Sequence, residues 1–130
     1  MPKEIFIRRI IAIFTVVIVS CIMAVSSADD DTDQQLRDKW NAMTSFLKEG
    51  NTKKALELIH PATRNNYAIM FQAIKDKLPQ IISTEIDLKV IRIQDTYAYY
   101  ELTTKEKGKL YSYEVVFQKG QDGKWYIFEF

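Results

Sequence analysis

Residues 84–130 contain four runs in which apolar and polar side chains alternate: TEIDLKVIRIQ, TYAYYELTTK, LYSYEVVFQK and KWYIFEF. A backbone that sends successive side chains to opposite faces is a strand, so these runs predict a four-stranded antiparallel sheet. The turns between them are Gln94–Asp95–Thr96, the polar tip Lys105–Glu106–Lys107–Gly108–Lys109, and Gly120–Gln121–Asp122–Gly123. In the first run Ile86, Leu88 and Val90 share a face, and then Ile91 and Ile93 take over. One extra residue near Val90–Ile91, a β-bulge, accounts for the change of phase and predicts a curved sheet. A strand end buried on both faces would give the same pattern.

The alternation sorts the sheet into two faces. Ala98, Tyr100, Leu102, Tyr113, Val115, Phe117, Trp125 and Ile127 form the face expected to meet the helices. The opposite face carries Tyr97, Tyr99, Val116, Tyr126, Phe128 and Phe130, where an exposed antiparallel sheet would normally be polar. Aromatics of this kind are enriched in interface cores, and the stripe is a candidate partner surface. The high strand propensity of Tyr and Phe is the plainer explanation.

Upstream, the period changes to that of helices. Leu36, Trp40, Met43 and Leu47 lie at i, i+4, i+7 and i+11, which predicts a helix over residues 33–49 that stops at Gly50. Asn51 or Thr52 caps a short second helix, residues 53–59, ended by Pro61. Tyr67, Phe71, Ile74 and Leu78 predict a third over 62–78, closed by Pro79. Three helices followed by four strands make an α+β domain, with the helices on one face of the sheet. The acidic leader Asp29–Asp33 reads as a solvated tail that favours the positive end of the next helix.

Residues 1–28 have the parts of a secretory signal. Lys3, Arg8 and Arg9 precede the uncharged run Ile10–Val25, and Ser26–Ser27–Ala28 supplies a cleavage site. The run is about 16 residues, short of the roughly 20 that a spanning helix needs. Cleavage after Ala28 would send residues 29–130 to the periplasm. An uncut anchor and a lipoprotein acylated at Cys21, within Ile18–Val19–Ser20–Cys21, are the alternatives, and intact mass separates the three. The formal net charge of +1 offers no field to draw nucleic acid. Cys21 is the single cysteine, so no intramolecular disulfide forms and the mature domain relies on its core.

From Thr32 to Phe130 the chain resembles the nuclear-transport-factor-2-like (SnoaL-like) superfamily in its small exported bacterial form. The resemblance is carried by the order and spacing of Trp40, GNTKKALELIHPATRNNY (50–67), AYYEL (98–102) and YEVVFQKGQDGKWYIFEF (113–130). It implies a cone, in which a long helix, two shorter ones and a strongly curved sheet enclose a cavity. In the superfamily that cavity holds a small apolar ligand, an active site or only side chains, and many members dimerise through the outer sheet face. The fold serves enzymes and non-enzymes alike.

Superfamily enzymes place Asp with His, or Asp with Tyr, inside the cone. Here the inward strand positions offer no Asp, Glu or His, and acid–base catalysis needs a group that titrates near the working pH. His60, the single histidine, reads as a helix-end residue that satisfies free carbonyls. One His, one Cys in the leader and no spaced carboxylate set predict no metal site and no cofactor. The candidate pocket residues are Trp40, Arg64, Tyr67, Phe71, Tyr100, Tyr113 and Trp125, with Arg64 either holding an anion or pairing with a surface carboxylate. The expectation is an exported, non-enzymatic binding or interaction module that dimerises through its outer sheet face. The alternatives are a small-ligand carrier or a cone enzyme of isomerase or hydratase type.

Overall fold

A computed structural model describes residues 29–130; the expected signal segment, its cleavage after Ala28 and Cys21 lie outside the described residues. The chain divides into compact units at Thr32/Asp33. Of the first unit, residues 29–32 are described; they are helical, and 29–31 are solvent-exposed. The second unit, Asp33–Phe130, carries everything that follows.

Helix α1 covers residues 33–48. Its stripe of Leu36, Trp40, Met43 and Leu47 is buried as the spacing predicts. Gly50 ends it with φ +76°, a left-handed conformation that glycine adopts without steric cost. The Asn51 side chain then accepts the Lys54 N–H and caps α2, Thr52–Glu57.

After α2 the backbone pairs with the sheet. The Ile127 N–H donates to the Leu58 carbonyl at 3.0 Å, and the His60 N–H donates to the Ile127 carbonyl at 2.8 Å, a parallel bridge. It occupies the outer edge of the last strand, which would otherwise present unpaired backbone groups.

The single helix expected over 62–78 is instead three pieces: α3, Arg64–Ala73; a 3₁₀ turn, Lys75–Lys77; and α4, Leu78–Ile82. Ile74 leaves the helical region at φ −115°, ψ 19°, which ends α3. Pro79 does not close a helix. It lies in the first turn of α4, where its missing N–H would have had no partner. The described residues therefore hold four α-helices and a 3₁₀ turn, not three helices.

The strands are β1, Glu85–Ile93; β2, Tyr97–Glu106; β3, Lys109–Lys119; and β4, Trp125–Glu129, in one antiparallel sheet of order β1-β2-β3-β4. Strands β2 and β3 pair without interruption and turn through Lys107 and Gly108, both at positive φ, as a two-residue hairpin of type I′ requires. The expected bulge in β1 lies between Val90 and Arg92.

Two further register shifts correct the assignment of faces. One, between Glu85 and Asp87, puts Ile86 57% exposed, out of line with Leu88 and Val90, which pack against the core. The other is on β4. Val116 pairs with Glu129 and Phe117 with Ile127, so Phe128 is the extra residue. Beyond it Phe130 returns to the helix side, stacked on Tyr67 at 4.4 Å and edge-on to Trp40 at 5.3 Å. Phe130 is therefore not part of the outer face.

The core is one cluster. Phe71 from α3, Leu78 from α4, Ala98, Tyr100 and Leu102 from β2, Val115 and Phe117 from β3, and Trp125 and Ile127 from β4 close on the α1 stripe. Tyr113 has the same phase as Val115 but is 46% exposed, because it lies further along β3 towards the hairpin. On the outer face Val116 is buried, and the rings around it have partners within the chain. Tyr97 stacks on Tyr99, the Arg92 guanidinium lies 4.7 Å from the Tyr99 ring centre, and His60 meets Tyr126 and Phe128 edge-on. Gly120 lets Tyr126 lie flat on the turn, since a β-carbon there would stand 2.9 Å from the ring.

Candidate functional site

The helices and the sheet leave an apolar pocket of about 240 Å³. Its wall is Leu47, Phe71, Ile74, Leu78, Ile82, Leu102 and Phe130, and Met70, Ile81 and Tyr113 form a rim that is between 38% and 46% exposed. A larger recess, about 430 Å³, opens beside the β3–β4 turn. Its lining is mainly loop residues with Tyr126 the one large ring.

The polar groups of the apolar pocket come from the strands. Thr104, Glu106 and Tyr113 line it from β2 and β3, and Glu85 from the start of β1. Glu85 stands opposite Thr104 in the register, and Glu106 follows Thr104 by two residues on the same face. Diagonal neighbours of this kind sit about 7–8 Å apart. The two carboxylates therefore flank one threonine.

Both are held in place. The Trp40 indole N–H donates to Glu85 Oε2 at 3.2 Å. Thr104 Oγ1 and the Tyr113 hydroxyl both donate to Glu106 Oε2, at 2.8 and 3.0 Å. Desolvation raises the Glu85 carboxyl above the usual carboxylate range, against the opposing pull of the Trp40 hydrogen bond and of the Lys48 charge on α1. Among the described residues the one ion pair is Arg37–Asp33, so neither Glu85 nor Glu106 has a cation in contact. Among the described residues the pocket lining contains no Lys, Arg or His.

Of the residues expected to line a pocket, Phe71 and Tyr113 do so here. Trp40 reaches the pocket through Glu85 and itself borders a shallower recess by β1. Tyr67 borders another with Phe128, its hydroxyl accepting the Phe130 N–H at 2.8 Å and donating to the Phe130 carbonyl at 3.1 Å. Tyr100 and Trp125 are core residues. Arg64 folds back so that Nε and Nη2 donate to the Ile59 carbonyl, at 3.1 and 2.9 Å, in place of an anion or a surface carboxylate. His60 acts as an acceptor, its Nδ1 taking the Ala62 N–H, rather than satisfying a carbonyl.

Glu85 and Glu106 are inward strand positions that do carry an acid, against the expectation of none. Glu106 continues the phase of Tyr100, Leu102 and Thr104 and was legible by counting two residues further. Glu85 was not, because the register shift before Asp87 reverses its side.

A second polar cluster lies at the edge of the core, with the Arg37 and Asp33 side chains 31% and 26% exposed. The Tyr100 hydroxyl donates to Asp33 Oδ1 at 2.6 Å, and the same carboxylate accepts both its contacts from Arg37 Nε at 3.0 Å. Arg37 also donates to the Leu88 carbonyl. Tyr100 is completely buried and lines none of the recesses described above, so the cluster ties α1 to β2 rather than facing a substrate. Among the described residues no three His, Cys, Asp or Glu side chains group to hold a metal ion, and no helix is long and apolar enough to cross a membrane.

Comparison with known proteins places no neighbour beside this arrangement: no family model, no curated protein and no solved structure matches the chain.

Proposed function

We propose that the chain is an exported binding domain of the nuclear-transport-factor-2-like kind, a cone whose open end takes a small, largely apolar molecule. The observation that carries this is the apolar pocket with its exposed Met70 and Ile81 rim. Its volume exceeds the roughly 150 Å³ that accommodates benzene and falls below the roughly 300 Å³ at which drug-sized sites begin. Burial of apolar ligand surface supplies the affinity. Export is supported by the charged, apolar and small-residue sequence of positions 1–28, and the superfamily by the segments that resemble it. The bulges in β1 support a bent sheet. With Phe130 withdrawn and the remaining rings partnered within the chain, the outer face is a weaker basis for a homodimer than the full aromatic stripe would be.

The test is to fill the pocket. Titration of the protein with a neutral solvatochromic dye is expected to give saturable binding, and Ile74→Trp to weaken it by about tenfold or more. An unchanged affinity in that variant places the dye elsewhere and removes the support for the pocket. A second reading, an acid–base enzyme, is favoured by the raised Glu85 carboxyl at the pocket. Mass spectrometry of small molecules retained by the native chain and by Glu85→Gln separates the two. A carrier retains its compound in the native chain; an enzyme retains its substrate only in the variant.

A further inference from the structure

The pocket is apolar along its length and acidic at one place, and that asymmetry specifies a ligand. Leu47, Phe71, Ile74 and Leu102 offer nothing but hydrocarbon, whereas Glu85 and Glu106 converge beside Thr104. We infer that the pocket selects a cationic amphiphile, an alkylammonium whose short chain lies on the apolar wall and whose head group sits between Glu85 and Glu106. The inference rests on the pocket being a ligand site and adds the charge class of what it takes.

Three features carry it. First, among the described residues no basic side chain lines the pocket, so an anionic head would face two carboxylates with no counter-charge. Lys48, on α1, is the cation felt by Glu85, but it makes no ion pair with it. Second, among the described residues the hydrogen bonds made to both carboxylates fall on a single oxygen each: Trp40 on Glu85 Oε2, and Thr104 with Tyr113 on Glu106 Oε2. The donors fix each carboxylate and leave its other oxygen to accept from an ammonium. Third, the donors come from a helix and from paired strands, so the two groups are positioned before any ligand arrives.

The test uses three probes of one chain length, octylammonium, octanol and octanoate, titrated into the full chain by calorimetry. Octylammonium is expected to bind about tenfold or more tightly than octanol, with octanoate the weakest. The isosteric pair Glu85→Gln with Glu106→Gln is expected to erase that preference, bringing octylammonium to the affinity of octanol, and Glu106→Gln alone to reduce it in part. Octanol binding as tightly as octylammonium overturns the charge assignment and leaves the apolar pocket standing. Retention of the preference in the double variant overturns it as well, by moving the head group away from these carboxylates. Binding of none of the three overturns both the charge assignment and the pocket reading on which it rests.

Discussion

Tyr100→Phe is expected to lower stability at neutral pH by about 1.5–3 kcal/mol, the range for a lost hydrogen bond to a charged partner. The ring itself is replaced without a cavity, so the loss falls on the hydroxyl. Its removal leaves Asp33 with Arg37 alone and cuts the side-chain link from α1 to β2. The same hydroxyl gives the protein a pH dependence. Burial, and then the neighbouring Asp33, push its ionisation well above the ordinary phenol range. In the unfolded chain the phenol ionises near pH ~10, while in the folded chain it keeps its proton. Stability from this group is thus complete below about pH 10 and declines as pH rises above it, by up to about 1.4 kcal/mol per pH unit. The Tyr67 hydroxyl, also raised by burial, adds to the decline in the same direction. Urea unfolding of native chain and Tyr100→Phe at pH 7 and through pH 10–11 checks this. The two stabilities should converge at alkaline pH; a constant gap would contradict the assignment.

Phe130→Ala is expected to cost about 3 kcal/mol, at the lower end for a large aromatic because the ring is only partly buried. The ring stacks on Tyr67, meets Trp40 edge-on and lies 6.4 Å from Phe71. Ring pairs of this kind add about 0.5–1.5 kcal/mol each beyond their buried area. The same ring forms part of the pocket wall, so the variant should also weaken apolar binding. A surface aromatic of the outer sheet face would give neither result. Thermal unfolding with and without dye measures both.

These two residues mark where the sequence was readable and where it was not. Tyr100 lies in a strand with an unbroken period of two, flanked by equally regular pairing to β3, and its side was evident from spacing alone. The α1 stripe and the Gly50 stop were readable for the same reason, since each follows from a local rule. Phe130 lies on the face opposite to the one its spacing predicts, because one unpaired residue, Phe128, reverses the alternation, and short-range periodicity does not reveal such a shift. Glu85 was hidden by a similar shift at the other end of the sheet. The break at Ile74 was hidden in another way. The apolar spacing of Tyr67, Phe71, Ile74 and Leu78 continues through it, and tertiary packing rather than propensity decides where the helix bends. The pocket forms where these features meet, and its acidic groups were legible only in Glu106.

The most direct measurement is chemical-shift mapping of the full chain titrated with octanol, which carries no charge and tests the apolar pocket by itself. Saturable shifts confined to Phe71, Ile74, Ile81, Leu102, Thr104 and their neighbours are the predicted result. Shifts that fail to saturate, or that fall on Tyr97, Tyr99, Tyr126 and Phe128 across the outer face, would contradict a binding site between the helices and the sheet.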